Sequence, residues 1–506
     1  MEYRKIKDIR LKDIDLGSID GDYESKNVHF EDYFYNRHTD YDLIKNEKNK
    51  FLIIGRKGSG KTYLSKYLAF MLKKEGYLTK TIKWNEINLN SLVELGDLNS
   101  SSETGNFYRF IIFIEITRLI ISSSIKGSIN WKKNPIKFIK AYYYKNKLIE
   151  FYKERYPDGN YSIDRKGLKN SKTEKVDVDS LVKGLKLSSE LNETENIEYR
   201  KKNINEILEQ LENNISSFLR YIPILLISDD LDEQNLNLLN DNTFKDFLIK
   251  YINVVSEINL ELEKYNSKCI IVIRDDILET LNARSSNINK IITGSNVHIN
   301  WCEKISMYPW ENDITKMILN KIRISANIDP EINNRAIYQH FFDKKIDGKD
   351  CFEYLVSRSL GRPRDIVEFL SEIKEKNGDK KKFHASAFRS VLNTYSSYFI
   401  SEFKNELSIF YDSDFIEQGF NLLSGLNKSR FDYKEIESYY LSNKDDYPNI
   451  DSIKDLLTIF YNVGLLGNED DGAISFSYRF DGKDKVNLNV NFVVHYGAQK
   501  KLLTRL

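Results

Sequence analysis

Short apolar runs, separated by stretches with helical spacing, organise residues 51–301. Phe51-Leu52-Ile53-Ile54, Ile224-Leu225-Leu226-Ile227 and Ile270-Ile271-Val272-Ile273 are continuous, the signature of strands buried on both faces. Leu78 to Trp84 alternates and reads as a further strand, and Val297 to Trp301 as the last. Tyr63 to Lys73 has the apolar spacing of a helix, as does Phe107 to Ile125. The latter carries Arg109, Glu115 and Arg118, so it suits a buried or amphipathic helix better than a membrane span. Strands alternating with helices predict an α/β fold, a parallel sheet covered on both faces.

Outside that pattern the chain changes character. Residues 1–50 form a polar, acidic leader with clustered aromatics, expected to pack on the first strand of the core. Residues 126–215 are rich in Lys, Asn, Tyr and Glu. They exceed what a strand-to-strand connection needs, so we read them as a mostly helical insertion in a core spanning 51–301. Residues 302–400 are helical, with Ile314, Met317, Ile318 and Ile322 on one face. From 401 to 506 the pattern gives helices near Phe415–Leu423, Tyr433–Tyr440 and Ile453–Leu466. Two alternating runs follow, Ala473–Phe480 and Val486–Val494. Three helices and a hairpin describe a winged helix.

Composition narrows the setting. A net charge of +1 supplies no global attraction to nucleic acid or anionic lipid. Cys269, Cys302 and Cys351 have no paired or metal-like spacing, and the six histidines are scattered. Met1 to Asp22 is charged throughout and is not a secretory signal. The expectation is a soluble cytoplasmic protein with no membrane partner.

The chemistry begins at Gly55-Arg56-Lys57-Gly58-Ser59-Gly60-Lys61-Thr62, which follows one apolar run and opens a helix. Strand, glycine loop and helix in that order suit phosphate binding. The glycines let backbone N–H groups converge on phosphate oxygens, and the helix N-terminus adds positive potential. Lys61 is expected to reach the β- and γ-phosphates of ATP, and the Thr62 hydroxyl to ligate Mg²⁺.

The second half of such a site is an acid at the end of a buried strand, and Ile227 leads into Ser228-Asp229-Asp230-Leu231-Asp232-Glu233. Asp229 is expected in the Mg²⁺ shell and Asp230 as the base that polarises the attacking water, with Asp232 or Glu233 as alternatives. The strand ending at Arg274 should lie between the phosphate-loop strand and the Asp229 strand, with Arg274 reporting the γ-phosphate. The plainer reading pairs Arg274 with Asp275 or Asp276. Gly361-Arg362-Pro363-Arg364-Asp365 is a turn between helical segments, able to present Arg364, or in reserve Arg362, to the nucleotide. Arg284 is a candidate arginine finger acting on a neighbouring subunit.

Taken together, these motifs resemble the ASCE branch of P-loop ATPases, and within it the AAA+/STAND group. More narrowly they resemble a family of bacterial P-loop ATPases found in defence-related gene neighbourhoods. The likeness covers about Leu16 to Trp84 and Ile222 to the C-terminus, not the insertion. It implies an ASCE core with helical lid and winged helix, and an ATPase acting as a conformational switch in antiphage defence through homo-oligomerisation or a separate effector protein. It departs from fast AAA+ motors in having Asp230 where they carry glutamate, which favours slow turnover. The alternative is a DNA-associated initiator or loader, against which stand the neutral charge and the acidic third helix of the tail, Asp451 to Tyr461.

One further stretch stands out. Trp131 to Arg155 interleaves lysines with aromatics, opposed only by Glu150 and Glu154. An amphipathic helix with rings inward and lysines in water is the expected arrangement. A nucleic-acid surface is the alternative.

Overall fold

The computed structural model of the chain describes residues 3–83, 101–155, 163–164, 167–168, 193–231, 242–282, 286–302, 306–479 and 485–503. The chain divides into two compact units. One comprises residues 39–55 and 64–298, the other 1–38, 56–63 and 299–506.

In the first unit the apolar runs become the strands of one sheet: β1 (Leu52–Gly55), β2 (Leu78–Lys83), β3 (Ile224–Asp229), β4 (Lys268–Arg274) and β5 (Asn296–Ile299). Their order is β2-β3-β4-β1-β5. The pairs β2–β3, β3–β4 and β4–β1 are parallel. This is the α/β parallel-sheet fold that the pattern predicts, with β4 between β1 and β3 as expected. β1, β3 and all but the first residue of β4 are buried, which explains their uninterrupted apolar sequence.

Parallel strands place their C-terminal ends on one edge. Gly55 pairs with Arg274 and Lys83 with Asp229, so that edge gathers a glycine, a lysine, a carboxylate and a guanidinium. Lys268, at the other end of β4, donates from Nζ to the carbonyls of Ile44, Glu47 and Lys50 at 2.7, 2.8 and 3.1 Å, fixing the approach to β1.

The helices of this unit include α1 (Lys61–Lys74, whose first residues belong to the other unit), α2 (Ser101–Ser122), α3 (Pro135–Arg155), α4 (Glu193–Leu219), α5 (Asn242–Leu262), α6 (Asp275–Asn282) and α7 (Ser286–Ser295). The charges within α2 are paired in the protein. Glu115 accepts from Lys80 at 2.6 Å and Arg118 at 2.5 Å, and Arg109 bridges Glu212 and Glu261. Among the described residues no helix is long and apolar enough to cross a membrane. The expected insertion boundary at 215 falls inside α4, whose Leu211, Ile215 and Phe218 are fully buried.

The second unit is mostly helical: α8 (Asp313–Ser325), α9 (Asn334–Phe341), α10 (Cys351–Ser357), α11 (Pro363–Asn377) and α12 (Ala385–Leu407), then α13 (Ser413–Leu426), α14 (Tyr433–Ser442), α15 (Ile453–Asn462) and α16 (Tyr496–Leu502). The leader's Ile9, Leu11, Ile14 and Leu16 share a core with these helices, and Glu24 forms a buried ion pair with Lys321 of α8. Residues 1–38 thus build their core with the post-sheet helices, a different place from the first strand on which they were expected.

Two further expectations shift. The boundary at 400 falls within α12, which runs on to Leu407. The third tail helix stops at Asn462, because Gly464 adopts φ +84° and the N–H groups of Gly464 and Leu465 bond back to Tyr461 and Phe460, capping the helix. Leu466–Asp470 then forms β7, which pairs with β8 (Ala473–Ser475), with β6 (Arg430–Phe431) and β9 (Asn491–Val494) completing an antiparallel sheet of order β8-β7-β9-β6. The hairpin is therefore β7–β8. Among the described residues of the two alternating runs, Ala473–Ser475 and Asn491–Val494 pair as strands.

Candidate functional site

Gly58 and Gly60 take φ of +79° and +95°, a region that side chains with a Cβ resist, so the loop needs glycine at both places. A Cβ on Gly60 would meet nothing within 4 Å, whereas one on Gly58 would lie 3.1 to 3.4 Å from the Arg364 side chain. The loop carbonyls are held from outside. Trp301 Nε1 donates to Ser59 O at 2.8 Å, Arg362 Nη1 to Lys57 O at 2.9 Å, and the Arg364 N–H approaches Gly58 O at 3.5 Å. Three successive loop carbonyls are thus turned toward protein. The Ser59 N–H bonds back to Arg56 O at 3.2 Å, closing the loop into a tight turn of the kind whose remaining N–H groups receive anions. Lys61 Nζ donates to Arg56 O at 2.9 Å, folding its ammonium back across the loop. Lys61 and Thr62 form the first turn of the fourteen-residue α1, where helix N–H groups also project.

Two polar atoms in this neighbourhood are buried and have no hydrogen-bond partner among the described residues: the Ser59 hydroxyl and the Arg364 Nε–H. An orphaned donor beside a glycine loop is costly unless a ligand satisfies it. The donor set fits a polyphosphate and a hard cation. The loop N–H groups, Ser59, Lys61 and Arg364 suit phosphate oxygens, and the Thr62 hydroxyl suits Mg²⁺.

Arg362 and Arg364 project from the turn that starts α11, where Arg362 is the N-cap and Pro363 the first helical residue. They differ sharply in environment. Arg362 is 2% exposed. It binds both Asp365 oxygens at 2.9 Å and donates to Glu406 of α12. Burial disfavours its charge, yet Asp365 and Glu406 outweigh burial and hold the guanidinium well above its ordinary pKa. Arg364 is a quarter exposed and donates to a single acid among the described residues, Glu402, at 3.3 Å. Arg362 thus braces the loop, and Arg364 retains donor capacity beside it. Arg56 reaches the other way, donating to Val463 O at 2.9 Å, with Glu406 at 3.6 Å and the Tyr478 ring beneath it.

In the sheet-bearing unit, Asp229 is buried at the end of β3 and accepts from the Asp230 N–H at 3.0 Å. Asp230 has φ +57°, strained for a residue with a Cβ, and its carboxylate lies 3.4 Å from Lys83 Nζ. Arg274 is buried, and Asp276 grips it through both carboxylate oxygens. The plainer reading of Arg274, an acid partner two residues on, therefore describes its contact, although the residue is buried rather than on the surface. Asp232, Glu233 and Arg284 lie outside the described residues.

Four contributors were not singled out in the sequence: Trp301, Lys83, Glu402 and Glu406. Only the last two carried a signal, since an i, i+4 pair of acids on one helix can face two arginines.

A domain family described as the FunZ-associated C-terminal helical domain matches residues 312–404. The matched stretch contains Arg362, Arg364 and Glu402. It is a minority of the chain. No curated protein matches the sequence. Among solved structures, the crystal structure of Cdc6p from Pyrobaculum aerophilum is similar at 11% identity over 91% of this chain and 88% of that chain, with a TM-score of 0.28. At that score the likeness carries no argument about this chain, and the α/β fold stands on the sheet itself.

Proposed function

We propose that this protein is an ATP-binding and ATP-hydrolysing conformational switch of the AAA+/STAND-like group. The observation that carries the reading is the turn Gly361–Asp365. One short segment braces the glycine loop through Arg362 and lays Arg364, with an unbonded Nε–H, against Gly58. A loop that only joined strand to helix would have no use for an orphaned cation donor.

In this reading the loop from Gly55 to Thr62 holds the phosphates, with Arg56 and Lys57 as its outer wall and Lys61 on the β- and γ-phosphates. Thr62 and Asp229 would hold Mg²⁺, which when bound would neutralise phosphate charge. Asp230 orients and deprotonates the attacking water, with Asp232 and Glu233 as the alternative bases. Arg274 and Arg364 detect the terminal phosphate, and Arg284 acts toward a neighbouring subunit. Asp230 stands beside Lys83 and Arg274 is held by Asp276, so both must change partners before hydrolysis. That supports slow turnover, suited to a timer more than a motor.

Arg364 rises from α11, and Arg56 and Arg362 share Glu406 of α12, so tightening on a γ-phosphate pulls on both helices. The tail, read as a winged helix, would carry that movement outward. Its third helix exposes Lys454 and Asp455, with Asp451 exposed just before its start, a surface suited to protein more than to a DNA groove, which weighs against the initiator or loader alternative. The motif likeness supports a role in antiphage defence, with oligomerisation or a separate effector as output.

Light scattering coupled to gel filtration tests the switch. Asp230→Asn, which retains ATP, is expected to shift to a larger species with Mg·ATP and to return with ADP. A strict monomer under every condition, hydrolysing ATP rapidly when DNA is added, would establish the loader reading instead.

A further inference from the structure

The face of α3 and the segment before it depart from the expected arrangement. Ala141, Leu148, Phe151 and Tyr152 are buried, yet Trp131, Ile136, Ile139, Tyr142 and Tyr143 are 53% to 69% exposed. Beside them Lys132, Lys133, Lys137, Lys140 and Lys147 stand in solvent. The remaining lysine of the stretch, Lys145, is turned inward to Ser123 O. From Trp131 to Ile149 the sequence holds no acid, so a chain of net charge +1 concentrates positive charge on this one helix.

Charge and ring are interleaved on this face. Ile136, Lys140, Tyr143 and Lys147 follow one another at helical spacing, and Lys147 Nζ lies 5.0 Å from the Tyr143 ring centre. Helices that lie on membranes segregate the two, with the apolar stripe on one side and lysines on the other. Alternation at the spacing of single side chains suits a ligand whose negative charges and flat apolar faces also alternate. A nucleic-acid single strand has that chemistry, with a phosphate and a base at every step. The surface continues into a cleft of about 520 Å³ at the end of α1, lined by Lys74, Lys126, Trp131 and Lys132. The one carboxylate of that lining, Glu75, is paired with Lys45 at 2.5 Å.

We infer that this face binds single-stranded nucleic acid without base specificity, the lysines neutralising phosphates while Trp131, Tyr142 and Tyr143 stack on bases. The site belongs to the sheet-bearing unit and does not depend on the ATPase reading. It offers one means by which foreign nucleic acid would reach a switch.

Fluorescence anisotropy with labelled oligothymidylate and oligouridylate, titrated across a salt series on the full chain, tests it. Binding is expected with a slope of log K against log salt of about −3, four or five phosphates each contributing about −0.7. The variant Lys132→Glu/Lys133→Glu/Lys137→Glu/Lys140→Glu should abolish binding. Tyr142→Ala/Tyr143→Ala should weaken it at least tenfold while leaving the salt slope unchanged, since stacking is not ionic. Both variants are compared with the parent by thermal melting, which exposed substitutions should leave within a few degrees. No binding by the parent overturns the inference. So does binding that survives the charge reversal, or binding to phosphatidylserine vesicles in place of oligonucleotides. Loss of affinity by the tyrosine variant solely through a flatter salt slope overturns the stacking role.

Discussion

Lys61→Ala is expected to lower ATP hydrolysis by about 10²- to 10³-fold, the cost typical of removing one donor aimed at charge that develops in the transition state. The same substitution should leave the nucleotide-free protein folded. Lys61 Nζ rests on the carbonyl of Arg56 at the mouth of the loop, and the backbone of the loop is held independently by Trp301, Arg362 and Arg364. Phosphate release in a steady-state assay, beside a thermal melt without nucleotide, separates the two effects. Loss of activity accompanied by a collapsed melt would assign Lys61 to structure. Full activity would remove the loop from the chemistry altogether.

Arg362→Met is expected to destabilise the unit containing the post-sheet helices by about 3–5 kcal/mol, the usual result of removing one partner from a buried ionic network. Asp365 is fully buried and Glu406 nearly so, and both lose their principal cation. The Lys57 carbonyl loses its donor too, so nucleotide affinity should fall with stability. The denaturant midpoint measures the first effect. Adding Glu406→Gln to Arg362→Met removes one stranded charge and should restore part of the loss, a coupling that a simple packing role would not show. A loss below about 1 kcal/mol would mean that the network contributes little beyond packing.

How much of this was legible beforehand depended on whether the determining interaction is local. The strands Leu52–Gly55, Ile224–Asp229 and Lys268–Arg274 are apolar because both faces are covered, so burial leaves a direct record in the sequence. The place of the Arg274 strand between the other two was likewise readable, because parallel α/β cores tolerate few orders. The end of α15 was misplaced by four residues, since the apolar pattern runs unbroken past Val463-Gly464 and only the left-handed glycine stops the helix.

Charge partners were harder. Lys83 meets Asp230 only through the pairing of β2 with β3, and Glu406 meets Arg56 and Arg362 only through packing of α12. Those contacts join residues far apart in sequence, and although the i, i+4 spacing of Glu402 and Glu406 marks one face of a helix, it does not name the arginines that meet it. The face of α3 failed differently. Helical spacing separates two faces but does not say which is covered, and the rings of Tyr142 and Tyr143 fall on the uncovered one.

In the proposed switch the glycine loop would hold ATP while Arg364 reads its terminal phosphate. Calorimetric titration of the purified chain with Mg·ATP and Mg·ADP, repeated on Arg364→Ala, tests that most directly. We expect the parent to prefer ATP by roughly tenfold or more, as one charged hydrogen bond to the γ-phosphate supplies, and Arg364→Ala to bind both nucleotides alike. Absence of ATP binding, or a preference for ATP that Arg364→Ala leaves intact, would contradict it.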